Sequence, residues 1–141
     1  MTNINTQSHT VGAPVDKTDR EWREQLSSAQ YEVLRRKGTE RPFTGRYVHE
    51  KRDGTYRCAG CGAELFSSAT KFDSGTDWPS FTEPSDRANV VLDEDLSYGM
   101  RRVEVNCAAC GGHLGHVFPD GPGETRERYC INSCSLELDE R

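Results

Sequence analysis

The chain has no apolar run approaching the roughly 20 residues that a membrane-spanning helix requires. Met1 to Thr18 holds no apolar stretch either, so no secretory signal is expected there. Apolar residues are scarce throughout: hydrophobic residues make up 33% of the 141, and the mean hydropathy is -0.82. Part of the shortage sits in a polar N-terminal tail. The rest predicts that disulfides or a metal help to hold a thin core. A dense basic stripe is also missing. Residues 1–57 carry 11 Lys/Arg against 8 Asp/Glu, and residues 58–141 carry 7 against 15. Neither nucleic acid nor a membrane is therefore expected as a partner. From these absences a soluble, cytoplasmic chain is expected, and in a reducing compartment six cysteines do not read as three disulfides.

What is present reads as one domain. Residues 1–17 form a polar tail expected to be disordered, and 18–141 a single folded unit. Thr18 offers an N-cap, with Asp19 and Glu21 in the first turn, and Trp22 and Leu26 share a helical face. A second helix starts near Ser28, with Tyr31, Val33 and Leu34 as its apolar side. Arg35, Arg36 and Lys37 suit its C-terminal end and Gly38 the C′ position. Beyond Pro42 and Gly45 the pattern becomes β, in short runs: 46–49, 55–57, 64–66, 90–92, 101–105, 114–118 and 129–138. With no βαβ rhythm, the expected fold is mainly β, two antiparallel sheets with short N-terminal helices.

Cys58-Ala-Gly-Cys61 and Cys107-Ala-Ala-Cys110 are two Cys-x-x-Cys pairs, each followed by a glycine, Gly62 and Gly111, where a knuckle needs unusual dihedrals. One such pair alone reads equally as a redox motif. Two pairs supply four thiolates, a complete tetrahedral set for one structural Zn²⁺, although iron shares the spacing. The site would be closed, stabilising and not catalytic. The 45 residues between the pairs mean that the ion ties two distant hairpins together.

Cys130 and Cys134 remain. In one continuous strand Cys130, Asn132 and Cys134 share a face, about 13 Å separates the two cysteines, and no disulfide can join them. Cys134 then reads as a small buried apolar residue. Cys130 has polar neighbours, and Arg128 on its face favours the thiolate. His113 and His116 lie 17 and 14 residues upstream, in His-Leu-Gly-His, and in a strand would face opposite ways. They read as site residues, as core or surface histidines, or as rival zinc ligands.

The motifs that carry a resemblance are Arg41-Pro-Phe-Thr-Gly45, Cys58-Ala-Gly-Cys-Gly-Ala-Glu-Leu-Phe66, Lys71-Phe-Asp-Ser74, Trp78-Pro-Ser-Phe81, His113-Leu-Gly-His-Val-Phe-Pro-Asp120 and Arg128-Tyr-Cys-Ile-Asn132. With them, over Trp22 to Leu138, the chain resembles the methionine-R-sulfoxide reductases of the B type. The resemblance implies a zinc-bound, β-tent-like fold of two antiparallel sheets and, as substrate, the R epimer of methionine sulfoxide within oxidised proteins. It implies Cys130 as the catalytic thiol, and His113, His116 and Asn132 around the sulfoxide oxygen. Trp78 would wall the substrate methyl, with Phe118, Arg128 and Asp120 also at the site. The chemistry fits these residue types. A sulfoxide sulfur is electrophilic, but its oxygen leaves only once protonated, so a thiolate needs an acid beside it, and His116 is the candidate. The product on Cys130 is a sulfenic acid, which condenses with a thiol.

The sequence departs from the family at Thr76, where many members carry a resolving cysteine, and at Asp77, usually glycine. Recycling is therefore expected from thioredoxin, glutaredoxin or a small thiol, with Cys134 as the alternative resolving residue after rearrangement. The expected unit is a monomer. Two rival readings are a non-enzymatic zinc-bound β domain and a zinc-ribbon nucleic-acid module. The first has no need of Cys130, His116 and Trp78 together, and the acidic second half disfavours the second.

Overall fold

The computed structural model describes residues 17–39 and 45–141. Nearly all of the expected tail (1–17) and the Arg41–Thr44 part of one motif lie outside the described residues. Among the described residues two short helices come first, α1 (Asp19–Gln25) and α2 (Ser28–Leu34). Each begins with a capping box: Thr18 with Glu21, and Ser27 with Gln30, exchange side-chain and backbone hydrogen bonds that satisfy the first-turn N–H groups. The buried side chains are Trp22, Leu26, Val33 and Leu34, as the apolar spacing predicts. The end of α2 differs from expectation. Lys37, not Gly38, takes the left-handed φ of 59°, while Gly38 donates to the Glu32 carbonyl at 2.9 Å. A Cβ on Gly38 would sit 3.0 Å from that oxygen, so close approach is what glycine supplies there.

Among the described residues the strands are β1 (Gly54–Cys58), β2 (Glu64–Ser67), β3 (Lys71–Phe72), β4 (Ser80–Phe81), β5 (Val90–Asp95), β6 (Arg102–Cys107), β7 (His113–Phe118), β8 (Arg128–Ile131) and β9 (Leu136–Glu140). They form a three-stranded sheet, β2-β1-β9, and a six-stranded sheet, β3-β4-β8-β7-β6-β5. Every pairing is antiparallel, as the hairpin reading requires. Aromatic side chains fill the core: Tyr56 and Phe66 from the small sheet meet Phe81 and Tyr129 from the large one. Phe66 stacks on Phe81 at 4.5 Å, and Tyr56 meets Phe81 edge-on at 5.2 Å, a geometry worth about 0.5–1.5 kcal/mol per pair beyond burial.

Two strand expectations are corrected. Residues 46–49 form turns, closed by Val48 N–H to Gly45 and Glu50 N–H to Tyr47. Tyr47 anchors the segment through its side chain: it packs on Tyr56 at 5.4 Å, and its hydroxyl accepts from Leu138 N–H at 2.9 Å. The run 129–138 is not one strand. It breaks at a 3₁₀ turn, Ser133–Ser135, between β8 of the large sheet and β9 of the small one. Buried polar groups hold this crossing. Asn132 donates twice to the Leu114 carbonyl, from its backbone at 2.9 Å and its side chain at 3.1 Å, and the Ser135 hydroxyl donates to the His113 carbonyl at 2.9 Å. The straight-strand separation of Cys130 from Cys134 therefore does not apply. Among the described residues, no helix is long and apolar enough to cross a membrane.

Candidate active site and metal centre

The two Cys-x-x-Cys segments are the tips of the β1–β2 and β6–β7 hairpins, which belong to different sheets. Each tip is built alike. Gly62 N–H bonds the Cys58 carbonyl and Gly111 N–H the Cys107 carbonyl, both at 2.8 Å, with φ of 80° at Gly62 and 76° at Gly111. The tips meet so that all four sulfurs lie within 4.8 Å of one another. Cys58 to Cys110 is 3.7 Å and Cys61 to Cys107 is 3.6 Å. A tetrahedral ion with sulfur at about 2.3 Å has sulfur–sulfur edges of about 3.8 Å, whereas a disulfide bond is about 2.05 Å. The spacing thus fits a shared ion and not two disulfides. The helices cover the tips: Gln25 donates to the Gly60 carbonyl at 2.6 Å and Arg35 to the Cys110 carbonyl at 2.9 Å. The Arg35 guanidinium lies 4.6 Å over the Trp22 ring.

The second site lies on the large sheet. Register partners line up in a row across its strands: Asp93 with Glu104, Glu104 with His116, His116 with Cys130, and Cys130 with Ser80. Directly opposed residues share a face, so the sheet itself delivers Cys130 and His116 to one place. The β6–β7 register shifts between Val105 and Asn106, so that Asn106 pairs with His113 and Val105 with Gly115. This bulge adds one residue to β7 and undoes strict alternation. His113 and His116 consequently stand with ring centroids 5.5 Å apart, instead of facing opposite ways.

A cleft of about 110 Å³ opens over this face, lined by Trp78, Arg102, His116, Phe118, Cys130 and Asn132, with Gly115 among the lining residues. A Cβ on Gly115 would fall 2.1 Å from the Cys130 carbonyl, so bare backbone is required there. Arg128 makes a two-point ion pair with Asp120 at 2.9 and 3.2 Å and lies 4.5 Å over the Phe118 ring. Its charge is shared with Asp120, and its plane backs one wall of the cleft. Cys134 sits partly buried in the 3₁₀ turn just past β8.

Each histidine has a carboxylate that sequence reading missed. His113 Nδ1 is 2.6 Å from Glu104, whose other oxygen meets Lys37 at 3.4 Å. His116 Nε2 is 2.7 Å from Asp95. Burial pulls His113 below the ordinary imidazole value and outweighs the opposing pull of Glu104. His113 is thus held neutral near pH 7. Asp95 is held far below the usual carboxylate range, first by its bond to His116 and then by Ser97. The available signal was the alternation of Arg102 and Glu104 with Val103 and Val105 on β6. An interior strand that carries charge on one face needs partners there. A larger cavity of about 530 Å³ borders Asp95, Arg102, Glu104, His113 and His116, so His116 stands between the two spaces.

Residues 26–140 match the SelR domain. The chain is 57% identical over 133 residues to the peptide methionine sulfoxide reductase MsrB of Bradyrhizobium diazoefficiens, covering 94% of this chain and 96% of that one. It is 58% identical over 127 residues to MsrB of Pseudomonas entomophila, covering 90% and 97%. It is 58% identical over 124 residues to MsrB of Methanosarcina barkeri, covering 88% and 87%.

Proposed function

From the premise that the chain belongs to the SelR-domain family, the methionine-R-sulfoxide reductases of the B type, we propose that it repairs oxidised proteins by reducing methionine-R-sulfoxide through Cys130. The observation that carries this reading is the direct pairing of Cys130 with His116 in a cleft that also holds Trp78 and Asn132. Trp78 and Phe118 give the methyl and methylene groups an apolar wall. Asn132 and His113 set the polar side for the sulfoxide oxygen. The Cys130 thiolate attacks the sulfur while His116 supplies a proton to the oxygen. Oxygen moves from the methionine sulfur to Cys130, which becomes a sulfenic acid.

Thr76 stands at the position where a resolving cysteine is usual. Its hydroxyl donates to the Trp78 carbonyl at 3.2 Å and bonds Ser74 at 2.7 Å, so it braces the tryptophan loop. In this reading an external thiol, of the thioredoxin or glutaredoxin type or a small thiol, attacks the Cys130 sulfenic acid, and Cys134 is the alternative. Cys58, Cys61, Cys107 and Cys110 hold one Zn²⁺, which supplies a clamp between the sheets and takes no part in the reaction. In this reading the protein works in the cytoplasm, where such thiols are kept reduced, and it acts as a monomer.

The test is a peptide carrying both methionine sulfoxide epimers, incubated with excess dithiothreitol and resolved by chromatography. Loss of the R epimer alone, abolished in Cys130→Ser, is the expected result. Loss of both epimers, or undiminished turnover by Cys130→Ser, contradicts the reading.

A further inference from the structure

Resting on that reading, we propose that Asp95 is a positioning residue: it fixes the His116 ring so that the proton exchanged with Cys130 and the sulfoxide sits on Nδ1. Asp95 closes β5 and pairs in register with Arg102, which opens β6. The carboxylate is tied on both oxygens. Oδ1 accepts from Ser97 N–H at 2.9 Å. Oδ2 accepts from Arg102 at 3.3 Å and lies 2.7 Å from His116 Nε2. Arg102 also donates to the Ser97 hydroxyl at 3.3 Å, which locks the turn that presents Asp95. The His116 side chain is only 13% exposed and that of Asp95 19%, so water does little to loosen the pair.

An ionised carboxylate only accepts hydrogen bonds. The 2.7 Å contact therefore requires the proton on Nε2 in neutral His116, which leaves the lone pair on Nδ1. Among the described residues Glu104, the register partner of His116, does not compete for the ring: it spends its two oxygens on His113 and Lys37. The His113 and Phe118 rings flank it at 5.5 and 6.4 Å. Nδ1 is then the nitrogen left for chemistry. It takes the Cys130 thiol proton and returns it to the sulfoxide oxygen as the sulfur is attacked. The methionine sulfur gains two electrons, the Cys130 sulfur loses two, and the thiol proton ends on the sulfenic oxygen. No outside reductant enters this half-reaction.

Long-range proton–nitrogen NMR of the full chain reads the tautomer directly, and single-turnover reduction of a methionine-R-sulfoxide peptide reads its consequence. His116 is expected as the Nε2–H tautomer in the parent protein and as the Nδ1–H tautomer in Asp95→Asn. The single-turnover rate in Asp95→Asn falls about 10²-fold or more, with KM changed less than about threefold. Asp95→Glu restores part of both signals. An Nδ1–H tautomer in the parent protein, or an unchanged rate in Asp95→Asn with an unchanged unfolding midpoint, overturns the proposal. A parent protein with the Nε2–H tautomer but no turnover of either epimer overturns the reductase reading instead.

Discussion

Cys130 on β8 and His116 on β7 are direct register partners, and the row they share continues through Glu104 to Asp93 on one side and to Ser80 on the other. The proposed nucleophile and its proposed proton donor are thus set by backbone pairing and not by a loop, which gives the site the rigidity of a sheet interior. The bulge in β7 then turns His113 toward His116. Gly115, between them, keeps β7 close to β8 by having no side chain.

Glycine substitutions separate two physical effects. Gly62 and Gly111 have positive φ and open space where a Cβ would stand. Gly62→Ala is therefore expected to cost only backbone strain, about 1–2 kcal/mol. Gly115→Ala places a Cβ 2.1 Å from the Cys130 carbonyl, forces β7 and β8 apart, and should destabilise by more than about 3 kcal/mol while abolishing activity. Denaturant midpoints of the two variants check this ordering.

Metal analysis of the purified chain should give one zinc per chain. Cys107→Ser should lose it and lower the unfolding temperature by well over 10 °C, because binding energy at such a site is folding energy. A variant that lacks metal but unfolds at the parent temperature would remove the clamp from the account.

His113 gives a pH signature whose sign follows from burial. Its folded value lies below the ordinary 6.5, so below about pH 6.5 the unfolded chain takes up a proton that the folded chain refuses. Stability should fall as pH drops from 6.5 toward that lower value, and His113→Gln should flatten this part of the curve. Urea unfolding at pH 7.5, 6.5 and 5.5 measures it.

Under the proposed route, in which an external thiol resolves the sulfenic acid, Cys134→Ser should leave steady-state turnover with dithiothreitol or thioredoxin within about twofold of the parent. A loss of turnover with thioredoxin, accompanied by a Cys130–Cys134 disulfide in the parent, would assign the resolving role to Cys134.

Much of this architecture is legible in the residues. Thr18 as an N-cap, the Trp22–Leu26 face, the glycines after each Cys-x-x-Cys pair and the antiparallel hairpins follow from local rules and appear as read. The failures around the site share one cause, which is tertiary pairing. Residues 129–138 look like one strand because alternation continues through Asn132–Ser135, yet the chain changes sheets there and buries Ser133 and Ser135. The two histidines follow strand alternation in sequence, but a bulge that depends on β6 brings them together. Asp95 and Glu104 meet the histidines only through cross-strand register; the alternation on β6 marks a charged face but does not name its partners.

The central claim is most directly tested by one turnover without reductant. The parent protein, mixed with excess methionine-R-sulfoxide peptide and no thiol, should release one equivalent of methionine peptide per chain. Tryptic mass spectrometry after dimedone labelling should then place a single sulfenic acid on Cys130. Methionine release with Cys130 unmodified, or the label on a cysteine other than Cys130, would contradict the account.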